Sequence, residues 1–265
     1  MRLTSIASGS SGNCIYAGSD HTHILIDSGI SGKRIEQGLR SIEVDPSELD
    51  GILITHEHTD HIQGLGVMAR RYHIPIYTTE KTIDYLKECS GLGCIDLGLF
   101  HNIIPQKDFQ IGDLSICAHR IWHDALDPVC YTIQQADKKV SIATDLGDYN
   151  DELIEQLKEC DILFVEANHD SKMLEVGPYP FQLKKRIMGQ FGHLSNDRCG
   201  DLINLLYSER LRYVFLGHLS KENNFPALAY ETIKLALNQK DESIFRQIQL
   251  QVANRDAVSE VAVVR

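Results

Sequence analysis

Short apolar runs over residues 2–7, 13–17 and 23–27 predict three successive strands, joined by connections too short for crossover helices. Apolar positions at helical spacing then predict a helix near 32–41, a strand at 51–55 and a helix over 62–72. A strand near 75–79 and a helix at 80–88 follow, and 90–105 reads as glycine-rich and irregular. The second half opens like the first. Ile111–Arg120, Val129–Gln135 and Lys139–Thr144 predict closely spaced strands, and a helix capped by Asn150 or Asp151 runs to about Glu159. Asp161–Glu166 reads as a buried strand, followed by helices at 180–190 and 196–208, a strand at 212–217 and a helix at 226–238. The alternating tail, 245–264, predicts strand.

Each half therefore begins with β-structure and ends with helices. Helices outside two packed sheets satisfy that order, so the expected fold class is α/β (α+β), a four-layer αββα sandwich. A doubly wound parallel sheet is the alternative, and the closely connected strands at 2–27 and 109–145 count against it. With no linker, repeat or low-complexity segment, 1–265 reads as one domain.

Composition changes this picture little. Hydrophobic residues make up 43% and charged residues 24%, as in ordinary globular chains. Nothing reads as a membrane span, and Met1–Ile6 lacks the apolar core of a signal peptide, so a cytoplasmic location is expected. The seven cysteines (Cys14, Cys89, Cys94, Cys117, Cys130, Cys160, Cys199) include no Cys-x-x-Cys pair and read as reduced thiols. A net charge of −11 argues against a broad basic footprint for nucleic acid. Bound divalent ions would supply positive charge locally. Lys33-Arg34 and Lys184-Lys185-Arg186 are the local basic patches, and both read first as solvated helix faces.

The chemistry concentrates in residues 51–61, Gly-Ile-Leu-Ile-Thr-His-Glu-His-Thr-Asp-His. A strand ends at Thr55, and His56, His58, Asp60 and His61 follow within six residues. Imidazole and carboxylate suit zinc, manganese or iron. In extended chain, residues two apart point the same way, so His56 and His58 can share one ion. Asp60 and His61 fall where the chain turns into helix and can face a second. The zincin helix, His-Glu-x-x-His, is excluded, because Asp60 stands where its second histidine belongs.

This string resembles the His-x-His-x-Asp-His signature of the metallo-β-lactamase superfamily. His123, Asp145 and His218, each just past a predicted strand, fit that superfamily's later motifs. The resemblance implies that His56, His58 and His123 hold one metal, that Asp60, His61 and His218 hold the other, and that Asp145 bridges them. A bridging carboxylate suits the ~4 Å separation of a two-metal hydrolase. His119 is the competitor for His123, but it lies inside a predicted strand rather than at its end.

Glu166, at a strand end in Glu166-Ala167-Asn168-His169-Asp170, and the later His193 resemble the Glu–His pair of the tRNase Z branch, in which it donates a proton to the leaving oxygen. The larger set resembles the YycJ (WalJ) type of metallo-hydrolase from residue 4 to about residue 230. Ser8-Gly9-Ser10-Ser11-Gly12-Asn13, His123-Asp124-Ala125-Leu126-Asp127-Pro128-Val129, Gly192-His193-Leu194-Ser195-Asn196 and Gly217-His218-Leu219-Ser220-Lys221-Glu222-Asn223-Asn224 carry it. Cys130 replaces a glycine usual in that family. There is no room for a β-CASP insertion between Asp145 and His218, and no long arm of the kind that clamps tRNA.

The resemblance implies a dinuclear metal-dependent phosphodiesterase, a 5′→3′ DNA exonuclease whose nucleophile is a hydroxide shared by two divalent ions (manganese or zinc, with iron also compatible). DNA is favoured over RNA as the partner. Asp60, Glu166 and His193 are the expected catalytic residues. Ser8, Ser11 and Asn13, in a loop of small residues, and Lys221 are the expected phosphate contacts. An RNA-processing nuclease of tRNase Z type and a glyoxalase-like ester or thioester hydrolase are the enzyme alternatives. A non-catalytic scaffold is disfavoured by seven intact ligand positions. A homodimer is compatible, although no residue marks one.

Overall fold

A computed structural model describes residues 1–240 and 242–265. One sheet holds β1 (Arg2–Ala7), β2 (Cys14–Gly18), β3 (His23–Ile26), β4 (Leu49–Leu53), β5 (Ile76–Thr78) and β6 (Phe100–Asn102). The other holds β7 (Phe109–Ile111), β8 (Leu114–Arg120), β9 (Val129–Gln135), β10 (Lys138–Ala143), β11 (Ile162–Glu166), β12 (Tyr213–Gly217) and β13 (Gln249–Val252). A last strand, β14 (Ala262–Val263), returns to the first sheet. The strand orders are β14-β1-β2-β3-β4-β5-β6 and β13-β12-β11-β10-β9-β8-β7. In each sheet the early strands pair antiparallel, while β3 to β6 and β10 to β13 run parallel.

The helices are α1 (Gly32–Ser41), α2 (Thr59–Ile62), α3 (Leu65–Tyr72), α4 (Glu80–Glu88), α5 (Asp151–Leu157), α6 (Ser171–Val176), α7 (Phe181–Ile187), α8 (Asn196–Leu206), α9 (Pro226–Lys240) and α10 (Glu242–Gln247). Strand residues are apolar on both faces because both faces are covered. Within β11, Ile162 and Phe164 enter the core between the sheets, while Leu163 and Val165 pack with Leu202, Ile203 and Ile233 of α8 and α9. Within β3, Ile24 and Ile26 face the same central core, and Leu25 packs with Ile35 and Leu39 of α1 and Met68 of α3. The two-residue period of the strands thus sorts three apolar layers into the αββα sandwich expected from the sequence.

Two hydrogen bonds stitch the sheets together at one edge. Buried Tyr131, on β9, donates its hydroxyl proton to the Ile54 carbonyl (2.8 Å), and the Val129 amide donates to the Thr55 carbonyl (3.0 Å). That edge is where the parallel strands β4, β10, β11 and β12 end. Ligand crevices in parallel sheets form beyond the carboxyl ends of the strands.

Three expectations need correction. The helix expected over 62–72 begins earlier and in two pieces, α2 and α3, separated at Gly64. Gly64 lets the chain pass close to Ile30, whose carbonyl would lie 2.2 Å from an added Cβ. The irregular 90–105 segment contains the edge strand β6, whose side chains are poorly buried and give little apolar pattern. The tail is not one strand: Gln247 and residues before it form α10, β13 extends the second sheet and β14 pairs with β1. The short helix α6, absent from the expectations, is capped by Asp170, whose side chain accepts from the Met173 amide.

Gly29 links the fold to the site. Its amide donates to the Asn13 carbonyl, the Asn13 amide donates to the Asp60 carbonyl, and a Cβ on Gly29 would fall 1.6 Å from that Asp60 oxygen. Gly29→Ala is expected to lower unfolding free energy by about 1–3 kcal/mol, the usual cost of forcing atoms into a packed site. Urea denaturation checks this against Gly98→Ala, whose new Cβ would meet nothing nearer than 3.4 Å.

Candidate metal centre

The structure brings all seven expected ligands to the stitched edge of the sandwich. His56 and His58 lie in the segment after β4, Asp60 and His61 in α2, His123 between β8 and β9, Asp145 beyond β10 and His218 beyond β12. The groups His56/His58/His123, Asp60/His61/His218 and His56/His61/Asp145 each offer ligand atoms within 4.8 Å of one another. His58 Nδ1 stands 3.0 Å from His56 Nε2 and 3.3 Å from His123 Nε2. Asp60 Oδ2 lies 3.5 Å from His61 Nε2 and 3.6 Å from His218 Nε2. Asp145 lies between the two sets, 3.1 Å from His61 Nε2 through Oδ2 and 3.8 Å from His123 Nε2 through Oδ1.

Hydrogen bonds behind the rings select which nitrogen faces inward. His56 Nδ1 meets Thr55 Oγ1 at 2.9 Å, His61 Nδ1 donates to Asp27 Oδ2 at 2.7 Å, His123 Nδ1 donates to the Gly192 carbonyl at 3.2 Å, and His218 Nδ1 donates to Glu166 Oε1 at 2.7 Å. Each pairing leaves Nε2 as the converging lone pair, the usual way a protein orients metal-binding imidazoles. Asp145 Oδ2 and His218 Nε2 are buried and make no hydrogen bond. Buried polar atoms rarely go unpaired, and these two point into the cluster, so the donor set fits divalent cations.

Backbone geometry supports the placement. Asp27, Asp145 and His218 all adopt left-handed φ, 62°, 54° and 55°. Non-glycine residues hold that conformation at some cost, and such positions cluster at functional sites. Asp27 was not among the expected residues. Its carboxylate, 1% exposed, accepts from the Thr55 amide, the Thr55 hydroxyl and His61. The signal available in the sequence was an aspartate ending an apolar strand, Ile24-Leu25-Ile26-Asp27.

Glu166 and His193 do meet. Glu166 Oε1 accepts from His193 Nδ1 (2.8 Å) as well as from His218, while Oε2 accepts from the Leu146 and Leu194 amides. Burial alone would raise the Glu166 carboxyl, but the His193 and His218 imidazoles bring it down to about 2. Burial lowers His193 and His218 less than their carboxylate neighbours raise them; Glu166 is the main one for His193, and Asp145 for His218, which reaches about 10. Asp145 is held well below its ordinary value, burial notwithstanding, by His218 and His61. These ionised carboxylates demand positive charge, from protons on the imidazoles or from metal ions.

The expected phosphate contacts separate. Ser8 is 2% exposed, and its hydroxyl accepts from the His218 amide at 2.8 Å, so it holds an expected ligand in place rather than reaching the cavity over the histidines. Asn13, also buried, places Nδ2 3.2 Å from His61 Nε2 and 3.5 Å from Asp60 Oδ2. Ser11 is exposed and lies outside the 230 Å³ cavity over the histidines; its neighbour Ser10 lines that cavity. Lys221 lines an adjoining cavity instead. Arg186, from the basic patch in α7, lines the histidine cavity and pairs with Asp124. A larger cavity of 720 Å³, lined by Asp161, Arg212 and Tyr213 at the opposite ends of the strands, contains no histidine. His119 sits within β8 and meets Thr132 Oγ1 at 2.9 Å, away from the cluster.

The family described as "Beta-lactamase superfamily domain" matches residues 22–215. The chain belongs to this superfamily. It is 39% identical over 241 residues to a protein of Streptococcus pneumoniae serotype 2 (strain D39) named exodeoxyribonuclease WalJ, covering 91% of this chain and 90% of that one. It is 34% identical over 240 residues to exodeoxyribonuclease YycJ of Bacillus anthracis, again covering 91% and 90%. The short form of human tRNase Z superposes with a TM-score of 0.67 at 16% identity, over 99% of this chain and 100% of that one, a likeness of fold alone. No helix among the described residues is long and apolar enough to cross a membrane, and all seven cysteines are free.

Asp27→Asn is expected to weaken metal affinity roughly 10–100-fold, the usual effect of losing a carboxylate behind a ligating histidine. Competition with a chromogenic chelator measures it. His119 gives a pH signature. Burial, with Lys139 adding to it, pulls its value from the ordinary 6.5 down to about 4. Between those values the unfolded chain binds more protons than the folded one, so stability is full above pH 6.5 and falls toward pH 4. His119→Gln should flatten that decline in chemical denaturation across the window.

Proposed function

We propose that this protein is a metal-dependent DNA exonuclease working in the 5′→3′ direction. One observation carries the reading: two sets of converging ligand atoms flank Asp145, which lies 3.1 Å from His61 and 3.8 Å from His123, and the Glu166–His193 pair stands at their edge, with His193 lining the same cavity. The two bacterial relatives named exodeoxyribonuclease, each covered over nine-tenths of its length, supply the substrate class.

His56, His58 and His123 would hold one ion, and Asp60, His61 and His218 the other, with Asp145 common to both. Two ions so held supply a nucleophile at neutral pH and stabilise charge on the phosphate. Histidine and carboxylate donors accept zinc, manganese or iron. The chain's own residues do the rest. Glu166 fixes the His193 tautomer by accepting from Nδ1, which turns Nε2 toward the cavity to protonate the departing sugar oxygen. Glu166 also orients His218, so its removal would disturb acid and ligand together, whereas His193 is not one of the seven expected ligands. Arg186 and Ser10 line the approach and can contact phosphate oxygens.

Asp60→Ala is expected to abolish nucleotide release. His193→Ala should lower kcat by about 10²–10⁴ with metal content unchanged, as for loss of a general acid. Manganese- and zinc-loaded protein incubated with 5′-phosphorylated DNA and RNA, single- and double-stranded, checks both, with metal content measured by atomic absorption. Cleavage of RNA alone would assign a tRNase Z-type activity. Thioester turnover without nuclease activity would assign a small-molecule hydrolase.

A further inference from the structure

A second cavity, of 290 Å³, adjoins the cavity over the histidines, and Ser220 lines both. Lys221, Phe225 and Arg255 are in its wall, and no carboxylate is. In a chain of net charge −11, a cavity walled by two cations and no acid is a place that favours an anion.

Arg255 is the more informative cation. Its Nη2 donates to the Leu219 carbonyl at 2.6 Å, and its Nη1 is buried without a hydrogen-bond partner. No ion pair among the described residues includes Arg255, and the adjacent Asp256 pairs with Arg34 instead. The guanidinium lies against Gly9, where φ is 150° and a Cβ would come within 2.6 Å of Nη1, so the glycine leaves the space the guanidinium occupies. Lys221 is exposed at the rim. The wall also includes Phe225 and Pro226 at the start of α9, whose first turn carries no acidic residue, so the helix dipole adds to the attraction. The Phe225 ring, 50% exposed, offers a face on which a base can stack.

We propose that this cavity takes the 5′-terminal nucleotide of the substrate strand, with Arg255 and Lys221 holding its 5′-phosphate and Phe225 stacking on its base. The proposal rests on the exonuclease reading and explains why cleavage would begin at an end. With the terminal nucleotide so seated, the next phosphate lies over the histidines, reached past Ser220. Water, giving up one proton, bonds through its oxygen to that phosphorus, the P–O3′ bond breaks, O3′ takes a proton from His193, and the proton released by the water restores His193. A nucleoside 5′-monophosphate leaves, and the shortened strand keeps a 5′-phosphate. Each turnover therefore regenerates the group that the cavity recognises. A cavity of 290 Å³ is of the size of one nucleotide.

Two measurements on metal-loaded full-length protein test this. By isothermal titration, deoxyadenosine 5′-monophosphate should bind roughly ten- to hundredfold more weakly to Lys221→Gln and to Arg255→Gln than to the parent, as expected for losing one charge-assisted contact. Arg255→Lys should restore part of the loss, and deoxyadenosine should not distinguish the variants. In strand degradation, the parent should prefer 5′-phosphorylated over 5′-hydroxyl single strands by a comparable factor in kcat/KM, leave circular strands intact, and lose the preference in Lys221→Gln. Lys221 is at the surface, so that variant keeps the test valid if Arg255→Gln fails to fold. Equal monophosphate affinity in parent and Lys221→Gln, or equal degradation of phosphorylated, hydroxyl and circular strands, would overturn the proposal and leave the nuclease reading intact. Loss of monophosphate binding in the variants, with no DNA degraded by the parent, would support the nucleotide cavity and overturn the nuclease reading.

Discussion

The Glu166 carboxylate ties four pieces of chain into one centre. It ends β11, accepts hydrogen bonds from His218 beyond β12 and from His193, and accepts two more from the amides of Leu146 and Leu194 on two separate loops. An ionised group without solvent is costly unless its acceptor sites are filled, and here all four hydrogen bonds are present. Asp27 plays the corresponding part on the first sheet, where it holds His61 and Thr55. Held by these two buried carboxylates, the His61 and His218 imidazoles have little freedom left, and their Nε2 atoms face the cluster.

The sandwich makes that convergence possible. Parallel strands β4, β10, β11 and β12 end on one edge, and Tyr131 and Val129 hold the two sheets together there. The central apolar layer fixes the distance between the sheets, so residues from both reach one cluster. The same edge carries the neighbouring cavity of Lys221 and Arg255, reached along Leu219 and Ser220, the continuation of the chain beyond His218. The histidine cluster and the cavity of Lys221 and Arg255 are thus separated by two residues of backbone, Leu219 and Ser220.

Much of the fold was legible because strands covered on both faces are uniformly apolar, as in Ile162-Leu163-Phe164-Val165 and Ile52-Leu53-Ile54. Elements with poor burial were not: β6 has no buried residue, and α6 buries only Leu174, so neither carries a readable period. The onset of α2 was hidden because His58 to His61 are polar for chemical reasons. The tail kept its strand propensity, but its division between two sheets depends on partners more than 200 residues away, Arg2 and Leu3 for β14.

Density and spacing of ligand-type side chains determined the metal motif, because four such residues within six positions at a strand end have little other use. Which nitrogen each histidine presents, the support given by Asp27 and Ser8, and the pairing of Glu166 with two histidines were decided only by tertiary structure. Those facts depend on hydrogen bonds between residues 27 to 210 positions apart, and no local pattern encodes such a partner. The same holds for Arg255: its sequence neighbours mark it as a surface cation, and only the packing of Gly9 and Leu219 around it places it in the wall of a cavity beside the histidine cluster.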